Sequence, residues 1–184
     1  MSEKLSKSSG LRGQVAGETS LSTVGKTGAG LTYRGYDVVD LSANAEFEEI
    51  AFLLLRGHLP NQKELNDYKK KLEGFRDLPK ALKNVLEEIP SESHPMDVMR
   101  TGTSVLGCLE TEKDFSEEDD KIDRMLSLLP SIITYWYRFS HDGVKIDTAT
   151  DDITIGSHFL HLLHGEKPSK LFEKVMNVSL ILYF

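Results

Sequence analysis

Glu46-Phe47-Glu48-Glu49-Ile50-Ala51-Phe52-Leu53-Leu54-Leu55-Arg56-Gly57 is the stretch on which the fold turns. Phe47, Ile50, Ala51, Leu54 and Leu55 recur every three or four positions. At 3.6 residues per turn they gather on one side of an α-helix. Arg56-Gly57 then supplies the basic last turn and the glycine with which helices commonly stop.

Outward from this helix the same signals repeat. Leu59-Pro60-Asn61 reads as a turn and cap, and residues 62–75 carry the stripe Leu65, Tyr68, Leu72 and Phe75 on a charged helix. Pro79 suits the first position of a helix reaching Glu88, Pro90 breaks it, and Pro95 opens another through Val98, Met99, Val105 and Leu106. An acidic loop over 110–120 feeds a helix over about 117–139, where Pro130 implies a kink or two stacked pieces. Asp142-Gly143 is a turn. Asp151-Asp152 stands where an anion favours the start of a helix over 155–163, which Gly165 ends. Pro168 begins the last helix, with Leu171, Phe172, Val175, Val178, Ser179 and Leu182 at helical spacing. No stop signal follows, and Leu180-Ile181-Leu182-Tyr183-Phe184 is apolar, so a partner or further chain is expected to cover this end.

Toward the start the pattern changes. Residues 14–24 alternate weakly through Val15, Leu21 and Val24, Leu31-Thr32-Tyr33 can pair back, and Gly25, Gly28 and Gly30 lie between. A turn is expected around Gly35 and Asp37, and residues 1–10 read as disordered. The fold class is mainly α, preceded by a small N-terminal β ribbon.

The 184 residues suffice for one domain, with 39% hydrophobic and 28% charged side chains. A net charge of −7 argues against a nucleic-acid partner, whose footprint is basic. The lack of a long apolar run argues against a membrane span, and the polar first ten residues carry no apolar signal core. Cys108 is the single cysteine, which fits a reducing, cytoplasmic setting.

Few residues here invite chemistry. Gly25-Lys26-Thr27 looks like the end of a phosphate loop, but the first glycine of such a loop is replaced by Ser20, so a ribbon turn is the better reading. His158, His161 and His164 share a helix at three-residue spacing, with Glu166 the nearest carboxylate for a metal. Packing beside Phe159, Leu162 and Leu163 with local hydrogen bonds is the favoured reading. Cys108 reads as a small buried hydrophobe. Tyr135-Trp136-Tyr137 cannot all be buried by one helix face, so part of the group meets another helix or subunit. Glu117-Glu118-Asp119-Asp120 reads as a solvated helix start. No catalytic, substrate-binding, cofactor-binding or metal residue is assigned.

Several stretches in order resemble the citrate synthase family, with a lean to its bacterial 2-methylcitrate synthase branch. They are residues 21–28, 31–37, 46–51 and 53–60, and most specifically His94-Pro95-Met96-Asp97-Val98-Met99-Arg100-Thr101-Gly102, extended by residues 135–143 and 156–165. The resemblance implies an enzyme that deprotonates an acyl-CoA, adds it to oxaloacetate and releases CoA without a metal or other cofactor. It implies two catalytic histidines and an aspartate, arginines and another histidine for the dicarboxylate, and an intertwined homodimer of large and small helical domains. Those functional residues would follow the stretch matching residues 178–183, so none is carried onto this chain. Residues 11–184 are then expected to form an incomplete large domain, inactive alone. The other readings are a citrate synthase portion, a non-catalytic module that pairs with a full-length synthase subunit, and one half of a complementing pair.

Overall fold

The computed structural model describes residues 15, 17–25, 30–111 and 113–183. The expected disorder of residues 1–10, and Lys26, Thr27 and Gly28 of the glycine cluster, lie outside the described residues.

Among the described residues three short antiparallel strands come first: β1 (Ser22–Val24), β2 (Leu31–Tyr33) and β3 (Tyr36–Asp37), in the order β1-β2-β3. Ser22 faces Tyr33, and Tyr33 faces Tyr36 across a two-residue turn. Only a turn was expected at Gly35 and Asp37; a third strand forms because Arg34 and Gly35 both adopt positive φ, +46° and +92°, the hairpin geometry that matches strand twist. Arg34 is held there by its guanidinium, whose Nη2 donates to the Leu54 carbonyl at 2.9 Å.

Eight α-helices follow among the described residues: α1 (Val38–Asn44), α2 (Phe47–Arg56), α3 (Gln62–Glu73), α4 (Lys80–Glu87), α5 (Pro95–Leu109), α6 (Glu118–Asp142), α7 (Ile155–His164) and α8 (Lys170–Leu182). Local chemistry sets their ends. Asp37 accepts from the Val39 and Asp40 amides to start α1, and Asn61 and Glu64 form a reciprocal box at the start of α3. Gly57, Gly143 and Gly165 take left-handed conformations that close α2, α6 and α7.

Several expectations shift. Pro79 is the residue before α4, not its first. On α2 it is Leu53 that is fully buried, while Leu54 and Leu55 are only partly so; helices α3, α7 and α8 pack on α2. Phe75 falls beyond α3 and is half-buried. Helix α6 runs unbroken through Pro130 for 25 residues rather than as two pieces. The missing proline N–H removes one rung, and packing of α4, α5 and α7 along α6 outweighs that loss.

Two apolar clusters result. One joins Tyr33 of the ribbon to Leu41, Phe47, Ile50, Tyr68, Ile155 and Ile181. The other joins Leu82 and Leu86 of α4, Val98 and Leu106 of α5, and Ile132, Tyr135 and Trp136 of α6. Tyr135 and Trp136 are thus both buried, and Tyr137 alone points outward, stacked on His141 at 4.4 Å. Helices α5 and α6 touch at Gly102, where a Cβ would lie 2.6 Å from the Ile132 γ-methyl.

Candidate functional site

The polar groups that could do chemistry lie along the strap from 143 to 154, which links α6 to α7, and at the start of α7 itself. Arg76, 1% exposed, donates Nη1 to the Asp152 carbonyl and, at 3.4 Å, to the Thr150 carbonyl. Thr148 accepts from the Leu78 amide at 3.2 Å and donates to Asp77 at 3.0 Å. The strap is therefore sewn to the α3–α4 connection.

His158 sits beneath it, fully buried. Its Nε2 lies 3.0 Å from Ser131 Oγ and its Nδ1 2.9 Å from Thr150 Oγ1. Ser131 spends its single proton on the Arg76 carbonyl at 2.8 Å, so its oxygen accepts from His158 Nε2–H, and Thr150 donates to Nδ1. The ring is a neutral link in a one-way relay. Burial first, then the neighbouring Arg76 charge, pulls its pKa down to about 3. His161 donates through Nδ1 to Asp152 Oδ2 at 2.7 Å, and His164 is exposed. The three histidines thus have three separate surroundings, and among the described residues no group of three or more His, Cys, Asp or Glu could hold a metal.

The helix-start anion was expected from Asp151 and Asp152. Both are otherwise engaged: Asp151 pairs with Lys167 at 2.9 Å and Asp152 with His161. The helix-start carboxyl comes instead from α2. Glu48, 1% exposed, accepts from the Ile155 amide at 2.7 Å. Its Oε2 has no hydrogen-bond partner among the described residues, and burial drives its pKa up. The apolar company of Glu48 on α2 was the only sequence hint of this role.

Above α7 lies a groove of about 530 Å³, lined among others by Glu46, Thr154, Lys170, Lys174 and Asn177. Glu46 is paired to Lys69, and Asn177 accepts from the Phe47 amide at 2.7 Å while donating to the Ala45 carbonyl at 3.2 Å. Asn177 thereby braces α8 against the start of α2.

A second polar centre was missed by the sequence reading. Asp123 of α6 is fully buried and accepts from Arg56 at 2.7 Å, Lys71 at 2.7 Å and Tyr68 at 3.1 Å. Asp119 and Asp120, read as a solvated helix start, extend this network to Arg56 and Lys71 at 2.9 and 2.6 Å. The phenol pKa of Tyr68 is raised by burial and by the Asp123 charge.

Two surfaces remain open. On α8, Leu171, Phe172, Val175 and Leu182 face outward while Ile181 is buried. On α5, Met96 and Leu109 are exposed, and so is Cys108, against the expectation of burial, because it turns away from the Val98, Gly102 and Leu106 side. Gly25, with φ of +61°, follows β1, and its amide lies 3.1 Å from the Gly30 carbonyl. Among the described residues no helix is long and apolar enough to cross a membrane.

Comparison with known proteins places this architecture. The family model described as citrate synthase, C-terminal domain, matches residues 10–184. A 2-methylcitrate synthase of Shewanella oneidensis is 67% identical over 174 residues, which are 95% of this chain and 46% of that protein. A citrate synthase of Heyndrickxia coagulans is 33% identical over 95% of this chain and 47% of its own length. The solved citrate synthase of Pyrobaculum aerophilum superposes with a TM-score of 0.85 at 26% identity, covering 95% of this chain and 46% of that one. The chain spans about half the length of the relatives it matches. With helices, ribbon and sequence all in agreement, the chain belongs to the citrate synthase family.

Proposed function

We propose that the chain is the N-terminal portion of a 2-methylcitrate synthase, whose complete form joins propionyl-CoA to oxaloacetate and releases CoA. The 67% identity to the Shewanella oneidensis 2-methylcitrate synthase carries this reading, against 33% to the Heyndrickxia coagulans citrate synthase. Such a condensation needs a base for the α-proton and an acid for the ketone oxygen. In this chain His158 is sealed in its relay and His161 is bound to Asp152, so neither is offered to a substrate. We assign the chain the part of scaffold, with residues 11–184 as an incomplete large domain and the catalytic groups in the remaining half of the synthase. The completed protein is read as a cytoplasmic homodimer that uses acyl-CoA and oxaloacetate as substrates and no further cofactor. A full-length synthase subunit is the alternative partner.

The test is CoA release with propionyl-CoA or acetyl-CoA and oxaloacetate, first on the chain alone and then after mixing with the remaining half of the Shewanella oneidensis synthase. Silence alone and activity on mixing, faster with propionyl-CoA, is the expected result. A turnover of about one per second by the chain alone, low for an enzyme, refutes the scaffold assignment. Preference for acetyl-CoA after mixing moves the reading to citrate synthase.

A further inference from the structure

Glu48 is a buried acid with half of its carboxyl unanswered. It stands in the first turn of α2, beside the buried Phe47, Ile50 and Ala51 of the same helix. Oε1 accepts from the amide of Ile155, the first residue of α7, and Oε2 has no hydrogen-bond partner among the described residues. An ionised carboxylate offers about four acceptor positions. Shut away from water with so few of them filled, it is poorly served, and the neutral acid suits the place better. Burial pushes the pKa of the group up; the Ile155 amide, the amide of Glu48 itself and the Lys69 charge oppose this without prevailing.

The charged and titratable groups on the elements around α2 have other commitments. On α3, Lys69 is ion-paired to Glu46 and Tyr68 donates to Asp123. Arg76, beyond the end of α3, is held by the Thr150 and Asp152 carbonyls. On α7, His158 is enclosed between Ser131 and Thr150, and His161 is bonded to Asp152. On α8, Glu173 and Lys174 line the groove, and Asn177 is taken up by the Phe47 amide and the Ala45 carbonyl. Arg34 and the α6 carboxylates Asp119 and Asp123 meet α2 only at its far end, at Leu54 and Arg56. Glu48 itself has no ion pair among the described residues.

We propose that Glu48 is a proton-operated latch on the joint between α2 and α7. With its proton, the carboxyl stays shut in against the Ile155 amide; once ionised, it draws water to Oε2 and the first turn of α7 comes away from α2. The joint can open by itself. The rest of α7 packs on α6 and α8, and the reciprocal box of Thr154 and Ser157 caps the helix start without Glu48. The closed joint keeps a proton that the open joint gives up above the ordinary value of 4.5. Opening therefore grows by about tenfold per pH unit above that value and levels off where the closed form also loses its proton. The latch concerns the fold of this chain and is independent of the catalytic reading.

The test is amide hydrogen exchange of the 184-residue chain between pH 5 and pH 8, read by mass spectrometry and divided by the intrinsic exchange rate at each pH. In the wild-type chain the opening of residues 155–158 is expected to rise by about tenfold per pH unit before it levels off. It is expected to exceed the opening of residues 98–106 of α5 at every pH. In the Glu48→Gln chain, which keeps the shape of the carboxyl and cannot titrate, the opening of residues 155–158 should stay flat. The infrared difference between the two chains at pH 5 should show a protonated carboxyl in the wild type; every other acid is common to both and cancels. An opening that is flat in the wild type, a rise that persists in Glu48→Gln, or a missing protonated-carboxyl band overturns the proposal. Equal opening of residues 155–158 and 98–106 does so as well, since the chain would then unfold as a whole and no latch would act.

Discussion

Replacing His158 by Gln tests the buried relay through its pH dependence. The imidazole is fully enclosed between Ser131 and Thr150, and its pKa falls from 6.5 to about 3. The unfolded chain therefore binds a proton at this position below pH 6.5, while the folded chain refuses it until near pH 3. Between those limits the unfolded state holds more protons, so stability falls as the pH is lowered, by about 1.4 kcal/mol per pH unit. By pH 4 this single group has removed about 3 kcal/mol from the native chain. Gln does not titrate. It keeps one polar contact near Ser131 and loses the other, which costs about 1–3 kcal/mol at pH 7. The native chain is thus expected to be more stable by about 2 kcal/mol at pH 7 and less stable than the variant at pH 4. Carboxylates that titrate in the same range are common to both proteins and cancel in the difference. Urea unfolding followed by circular dichroism at pH 7, 6, 5 and 4 measures the gap. A gap that stays constant to within about 0.5 kcal/mol would show that His158 does not fold as a neutral ring.

Three further expectations come from the other buried polar groups and one close contact. Asp123→Ala strands Arg56, Lys71 and Tyr68 around an empty place and should cost about 3–5 kcal/mol, whereas Asp119→Ala, at an exposed carboxylate, should cost less than about 1. Equal losses in urea melts would contradict the hub reading. Glu48→Gln should gain on the native chain as pH rises above 4.5: the folded carboxyl holds its proton to higher pH than the unfolded one, so native stability declines there and Gln does not. A native-minus-variant difference that is flat between pH 4 and 8 would count against this. Gly102→Ala should lose about 1–3 kcal/mol to the clash with Ile132 despite the better helix propensity of alanine, and should be less harmful in an Ile132→Ala background. Strict additivity of the two changes would mean that the helices do not meet there.

Most of the helices were legible because they carry their own punctuation. Asn61, Pro95, Gly57 and Gly165 act on neighbours within four residues, so their meaning survives without knowledge of the fold. The ribbon was legible for the same reason, apart from β3, whose two residues depend on a positive φ at Arg34 that is supported by Leu54 twenty positions away. The family was legible from an ordered set of stretches that no single motif replaces. The buried polar groups were not. Glu48 reads as one more acid in a helix start until α7 brings the Ile155 amide to it, and Asp123, just past the acidic run 117–120, draws no notice until α2 and α3 close over it.

The sequence by itself thus determined the helical class, the approximate place of most elements and the kinship, since periodicity and capping are properties of adjacent residues. Only the tertiary structure decided which charges are buried, which histidine is neutral, and which side of α8 faces outward. A buried charge exists only where its donors arrive from distant parts of the chain, and exposure depends on what packs opposite. Both are set by contacts 50 to 150 residues apart, which no local pattern encodes.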